Sequence, residues 1–126
     1  MLGKVLGIEI TSQEDGLVEG TMPVDERTRQ PYGILHGGAS VVLAETLGSV
    51  GSHFIAETEG KLAVGIEVNA NHVGQVRSGL VYGKAEILHR GRTLHVWSIE
   101  IRDERGRMVC TSRLTVMLVD RVKDEK

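Results

Sequence analysis

The sequence predicts an α+β domain in which one curved antiparallel sheet is wrapped around a single long helix. Three observations carry this. A stretch from about residues 37–39 to just before Gly60 is rich in Ala, Leu and Val and contains no proline, so it reads as helix. The second half of the chain is a series of Val-, Ile-, Leu- and Thr-rich runs separated by glycine-bearing turns, so it reads as strands. One helix is then left to serve all of that sheet, and a sheet buries one helix on most sides only by curling around it.

In chain order, residues 5–10 read as a short strand or as the last turns of an N-terminal helix, and residues 13–16 as a turn. Leu17–Pro23 alternates apolar and polar residues and ends in proline, as a strand does. The charged run at 25–30 (DERTRQ) precedes a proline and reads as a surface loop or helical turn. The helix follows, apolar on more than one stripe and therefore expected to be wrapped on most sides. Lys61–His72, 80–88, 93–102 and 108–119 are expected as a four-strand meander of long antiparallel strands with short connections. Within the third, Trp97, Ile99 and Ile101 share one face and Ser98, Glu100 and Arg102 the other. Residues 120–126 (DRVKDEK) read as a charged tail expected to fray. The whole of 1–126 reads as one domain, without linker, repeat or low-complexity segment. A curled sheet leaves one flank of the helix open, and pairing two copies closes it, so at least a dimer is expected.

Composition limits the function classes. The chain has 126 residues, 40% hydrophobic and 25% charged, as a soluble globular domain does. A net charge of −2 offers no general attraction to nucleic acid or to an anionic membrane. Aromatic residues make up 3%, too few for base-stacking surfaces. The single cysteine, Cys110, excludes an internal disulfide. The start MLGKVLGIEI has no signal-peptide pattern, and the apolar stretch 38–55 is interrupted by Ser40, Glu45, Ser49 and His53, so the cytoplasm is the expected location.

The chemistry concentrates in residues 30–54, QPYGILHGGASVVLAETLGSVGSHF. A polar loop with glycines runs into the apolar helix, and Glu45 stands alone among Val41, Val42, Leu43, Ala44, Leu47 and Val50. Burying an unpaired carboxylate is costly. Glu45 therefore needs either a buried ion-pair partner or a chemical role. Gly37 and Gly38 leave bare amides at the helix N-terminus, where the macrodipole favours negative charge.

The segment HGGASVVLAETLGS, with Gln30-Pro31 upstream and VGIEVNANHV (64–73) downstream, resembles the hotdog-fold acyl-CoA thioesterases. The resemblance is to the branch with its acidic residue on the helix, which includes thioesterases for 4-hydroxybenzoyl-CoA and 1,4-dihydroxy-2-naphthoyl-CoA and an enterobactin-pathway proofreading enzyme. Phenylacetate-pathway thioesterases are similar but carry different Asn or Asp motifs. The likeness runs from about residue 17 to 118.

The resemblance implies a fold, an activity and a set of roles. The fold is the hotdog; the reaction is hydrolysis of an acyl-CoA to the acid and free CoA. Gly37 donates its amide to the oxyanion, Glu45 acts as general base or as nucleophile, and Gln30 polarises the carbonyl. His36 orients the loop or contacts the acyl group, and Ser49, one turn beyond Glu45, hydrogen-bonds the nucleophile or water. His72 and the turn His89, Arg90, Gly91 and Arg92 belong to coenzyme A, whose phosphoryl groups suit a basic turn. Gly74 stands where relatives often carry a basic residue, and Arg77 is a substitute. The branch favours aromatic acyl groups, here a hydroxybenzoyl-, gentisyl- or dihydroxynaphthoyl-type thioester. No cofactor is expected, since coenzyme A is part of the substrate, and no metal. A homotetramer built as a dimer of dimers is expected.

Spacing adds an independent constraint. Glu45 follows Gly37 by eight residues, about 12 Å along a helix axis. That is too far for both to act on one acyl carbon, whereas antiparallel helices across a two-fold would bring the Gly37 of one copy to the Glu45 of the other. Two other function classes compete: a hotdog hydratase or dehydratase using His36 with Glu45, and a non-catalytic acyl-CoA binder. The HGG loop and Gln30 fit acyl transfer better than the first, and the second has no need of Glu45. His53 and Glu57 have metal-pair spacing but no third ligand; Cys110 reads as a core thiol and His95 as packing or surface.

Overall fold

A computed structural model describes residues 1–121. The elements in order are α1 (Leu2–Val5), β1 (Glu9–Glu14), β2 (Leu17–Pro23), α2 (Gly37–Thr58), β3 (Lys61–His72), β4 (Leu80–Arg90), β5 (Leu94–Arg102) and β6 (Met108–Asp120). The strands form one six-stranded sheet in the order β1-β2-β4-β5-β6-β3, every pair antiparallel. This is the α+β hotdog arrangement.

The helix touches all six strands. Strands lie about 4.8 Å apart, so a flat sheet of this width would overhang a helix roughly 10 Å across on both sides. The sheet therefore curls, and its register breaks between Gly65 and Glu67 on β3 and between Ile87 and His89 on β4 are bulges that bend strands.

The buried side of α2 is a stripe of pairs repeating every four residues: Ala39 and Ser40, Leu43 and Ala44, Leu47 and Gly48, Gly51 and Ser52, Ile55 and Ala56. Small residues alternate with large ones, so the sheet approaches closely. Trp97, fully buried on β5, occupies the space left by Gly51, where an added Cβ would meet the indole at 2.3 Å. Leu47 fills the space left by Gly20 and Gly83 on neighbouring strands.

Several expectations need correction. The helix is covered on one face, not on most sides: His53 and Phe54 are exposed, and Val42, Glu45, Ser49 and Val50 are half-buried. The meander has three strands, β4-β5-β6. Lys61–His72 has the expected bounds but pairs beyond β6, so residues 73–79 are a crossover and not a short turn. Residues 5–10 divide between the end of α1 and the start of β1, and the turn expected at 13–16 narrows to Asp15 and Gly16. The tail begins later than expected, because Asp120 still pairs with Lys61; residues 122–126 lie outside the described residues.

By length and composition alone α2 would suffice to cross a bilayer, although its sequence is interrupted by polar groups. One of its polar residues, Ser52, has a structural use. Ser52 is fully buried and accepts from Trp97 Nε1 at 2.7 Å, with His95 Nδ1 at 2.8 Å. His95 thus belongs to the buried face with Trp97, Ile99 and Ile101.

Candidate active site

The loop before α2 is held at both ends. Thr28, buried, donates its hydroxyl to the Pro23 carbonyl at 2.8 Å, and its own carbonyl accepts from the His36 amide at 2.7 Å. The Leu35 amide donates to the Val76 carbonyl at 2.8 Å. These bonds deliver His36 as the N-cap of α2, in extended conformation.

A helix leaves its first four amides without intrahelical partners. Here His36 serves three of them. Its Nδ1 accepts from the Gly38 amide at 2.8 Å, and its carbonyl accepts from Ala39 at 3.0 Å and Ser40 at 3.3 Å. The Gly37 amide receives no partner among the described residues. It is the one first-turn donor left for a ligand. His36 thus caps the helix, with Nδ1 turned to the backbone.

Gly37 lines a cavity of about 330 Å³ together with Gln30, Ser40, His72 and Gln75. The His72 ring lies over Gly37, where an added Cβ would stand 2.9 Å from Nε2, so any side chain at 37 would displace the imidazole. Gln30 opens a tight turn closed by the Gly33 amide on the Gln30 carbonyl at 2.9 Å, with Gly33 at φ 85°. The Gln30 Oε1 accepts from the Tyr32 amide, so the side chain is held by its oxygen and its NH₂ is the end left to donate.

Glu45 is elsewhere. It lines a separate cleft of about 390 Å³ with Ser49, Val42, Val50 and His53, closed on one side by Met1 and Leu2 of the N-terminal segment. Its carboxylate rests on β3 against Gly65. It takes part in none of the ion pairs among the described residues, so the structural alternative of a buried pair has no support. Within one chain, therefore, the oxyanion-type donor and the carboxylate occupy two different cavities.

The turn at His89–Arg92 lies at the far end of the fold from Gly37. Lys61, which opens β3, donates to the Arg92 carbonyl at 3.0 Å, whereas Gly37 packs under His72 at the close of β3. A twelve-residue strand separates them, roughly 36 Å. Arg90 is engaged with Asp15 at 3.0 Å on the β1–β2 turn, and the His89 ring folds over Gly91. His72 and the basic turn are thus not brought together in one chain.

Among the described residues no group of three His, Cys, Asp or Glu is placed to hold a metal ion. Cys110 is fully buried, and burial pushes its thiol pKa up, away from nucleophilic use. Ser40 was not singled out from the sequence; the signal available was its place one turn beyond Gly37.

Residues 32–110 match the Thioesterase superfamily. A 1,4-dihydroxy-2-naphthoyl-CoA hydrolase of Escherichia coli is 55% identical over 105 residues, covering 83% of this chain and 76% of that protein. The proofreading thioesterase EntH of Cronobacter turicensis is 50% identical over 114 residues, covering 90% of this chain and 82% of its own. The crystal structure of a thioesterase from Haemophilus influenzae superposes with a TM-score of 0.91 at 46% identity, covering 99% of this chain and 87% of that one. The arrangement of one apolar helix, its bare first amide and the Glu45 carboxylate in its middle therefore has a family: the chain belongs to the thioesterase superfamily and is a hotdog-fold thioester hydrolase.

Proposed function

We propose that this enzyme hydrolyses an aromatic acyl-CoA, of hydroxybenzoyl, gentisyl or dihydroxynaphthoyl type, at a site shared between two subunits. The observation that carries the shared site is the division of the machinery. The cavity of Gln30, Gly37 and His72 holds amide donors and no carboxylate, and the cleft of Glu45 and Ser49 holds the carboxylate and none of those donors. Antiparallel α2 helices across a two-fold would complete both at once.

The exposed surfaces favour that pairing. β3 is an edge strand, long and unblocked, with Val64 and Ile66 exposed at 47% and 49%. Such an edge invites a second strand. The neighbouring face of α2 exposes Phe54. Because the basic turn of each chain sits by the C-terminal end of α2, the same pairing carries the partner's turn towards the Gly37 end, where coenzyme A phosphates would leave the cavity past His72. Packing of two such dimers into a tetramer is part of the proposal.

In the reaction the thioester carbonyl points at the Gly37 amide, with Gln30 Nε2 as a further donor. Attack at the acyl carbon places negative charge on the carbonyl oxygen, where the helix N-terminus stabilises it. The attacking group is water, its proton taken by Glu45, or Glu45 itself, forming an anhydride that water then opens. Collapse expels the CoA thiolate, which takes up a proton, and leaves the free acid. Ser49, four residues after Glu45, holds the water or the carboxylate. The aromatic class is supported by the name of the E. coli relative. The acyl group would meet aliphatic side chains such as Ile34 and Val50.

The test is thiol release from a panel of aromatic and aliphatic acyl-CoAs by wild type and Glu45→Ala. Aromatic esters are expected to be preferred, and Glu45→Ala to lose about a thousandfold in kcat. Equal cleavage by the variant would sink the mechanism, and a preference for aliphatic esters the substrate class.

A further inference from the structure

We infer that the hydroxyl of Ser40 is a second donor to the developing oxyanion, acting beside the Gly37 amide; the assignment rests on the reading of Gly37 as the first donor. Ser40 is 1% exposed, lines the same cavity as Gly37 and Gln30, and its hydroxyl enters none of the side-chain hydrogen bonds among the described residues; His95 Nε2 is the one buried side-chain atom there that is closed off without a partner, so the Ser40 hydroxyl is open to the cavity. Buried hydroxyls are as a rule bonded, and one left facing a cavity is set for a ligand or water.

The usual internal partner is already taken. A serine inside a helix bonds back to the carbonyl four residues before it. For Ser40 that carbonyl is His36, which already accepts from the Ala39 and Ser40 amides at 3.0 and 3.3 Å. The other helix serine on the buried face shows the contrast. Ser52 is committed to Trp97 and His95. Ser49 faces the Glu45 cleft. Ser40 alone among the three stands with the Gly37 amide.

The spacing suits the role. Ser40 follows Gly37 by three positions, about 4.5 Å of rise, so an oxygen between amide and hydroxyl lies within hydrogen-bond reach of both. The side chain at this position leans towards the helix N-terminus, towards the cavity and not away from it. No bond is made or broken at Ser40; its proton stays on the hydroxyl while the charge on the carbonyl oxygen rises and then collapses.

The test compares wild type, Ser40→Ala and Ser40→Cys on a cleaved acyl-CoA, with thermal melting of each. Ser40→Ala removes only the oxygen, and Ser40→Cys places a slightly larger atom there that donates weakly. The expected result is a fall in kcat of roughly a hundredfold in both, with KM within about twofold and melting unchanged. If an active wild type is matched by an equally active, folded Ser40→Ala, the assignment fails while the thioesterase reading stands. A rise in KM at constant kcat overturns it as well, since ground-state binding is then what the hydroxyl supplies. If one variant does not fold, the other decides. A wild type that releases no thiol from any ester overturns the reading of Gly37 and this assignment with it.

Discussion

The Glu45 carboxylate lies on the Cα of Gly65: a Cβ built there would stand 2.8 Å from Oε2. Gly65 sits at the bulge of β3, and its backbone does not need a left-handed conformation. An alanine would therefore fit the strand but not the carboxylate. Gly65→Ala is expected to leave folding intact and push Glu45 by a fraction of an ångström to an ångström, lowering kcat by up to about a hundredfold. Steady-state kinetics beside a melting curve checks it. Full activity in the folded variant would show that Glu45 has latitude.

The division of the site predicts complementation between two crippled subunits. In the shared site as proposed, Gln30→Ala disables the cavity of its own chain, and Glu45→Ala removes the carboxylate it supplies to the partner's. Each alone is expected to be nearly inactive. Co-refolded in equal amounts, they should recover about a quarter of wild-type activity, since half the dimers are mixed and each mixed dimer has one intact site. No recovery from mixtures that sedimentation shows to be heterodimeric would place Gly37 and Glu45 in a site within one chain.

His95 gives a pH-dependent stability with a defined sign. It is fully buried, and burial is the main cause holding its pKa below the ordinary 6.5, partly opposed by Glu59 and reinforced by Arg90 and His89. The folded protein thus disfavours the charged ring. In the unfolded chain the ring takes a proton as pH falls through 6.5, and in the folded protein only at lower pH. Stability from this group is complete above 6.5 and is lost as pH drops below it. The Nε2 atom, which has no partner among the described residues, is where that proton would go if Nδ1 is already protonated, or Nδ1 itself at the expense of its bond with Ser52. His95→Gln should flatten the difference in denaturant midpoint between about pH 7.5 and 5.5 relative to wild type. An unchanged slope would mean that the carboxylates alone set the acid limb.

What could be read from the chain in advance depended on local signals. Glu45 stood out because one carboxylate in an apolar run violates a local rule. Its distance from Gly37 needed only the helical rise. The alternation of Trp97, Ile99 and Ile101 placed β5 correctly, and His95 shares that period. Strand order was not legible in the same way. β3 has the composition of a meander strand, and nothing local tells it to pair beyond β6. Ser40 was hidden for a different reason, since a small polar residue beside alanine in a helix looks like packing until its i−4 carbonyl is seen to be occupied.

His36 reads from the sequence as orienting the loop or contacting the acyl group, and the structure shows it also capping the helix. Histidine is an uncommon N-cap, but its Nδ1 reaches the Gly38 amide at 2.8 Å as a serine or aspartate oxygen would. That bond requires Nδ1 to be unprotonated, so the tautomer carries its hydrogen on Nε2. By occupying Gly38 it also ensures that the free amide is Gly37's alone. His36→Asn keeps an acceptor at the cap and is expected to retain stability and most of kcat. His36→Ala should cost about 1 kcal/mol in unfolding free energy. It also frees the Gly38 amide, a second donor that can draw the carbonyl oxygen away from the Gly37 amide, so kcat should fall further than stability alone explains. Chemical denaturation and kinetics on the two variants decide the point: if Asn and Ala lose activity equally while only Ala loses stability, His36 touches the substrate as well as the helix.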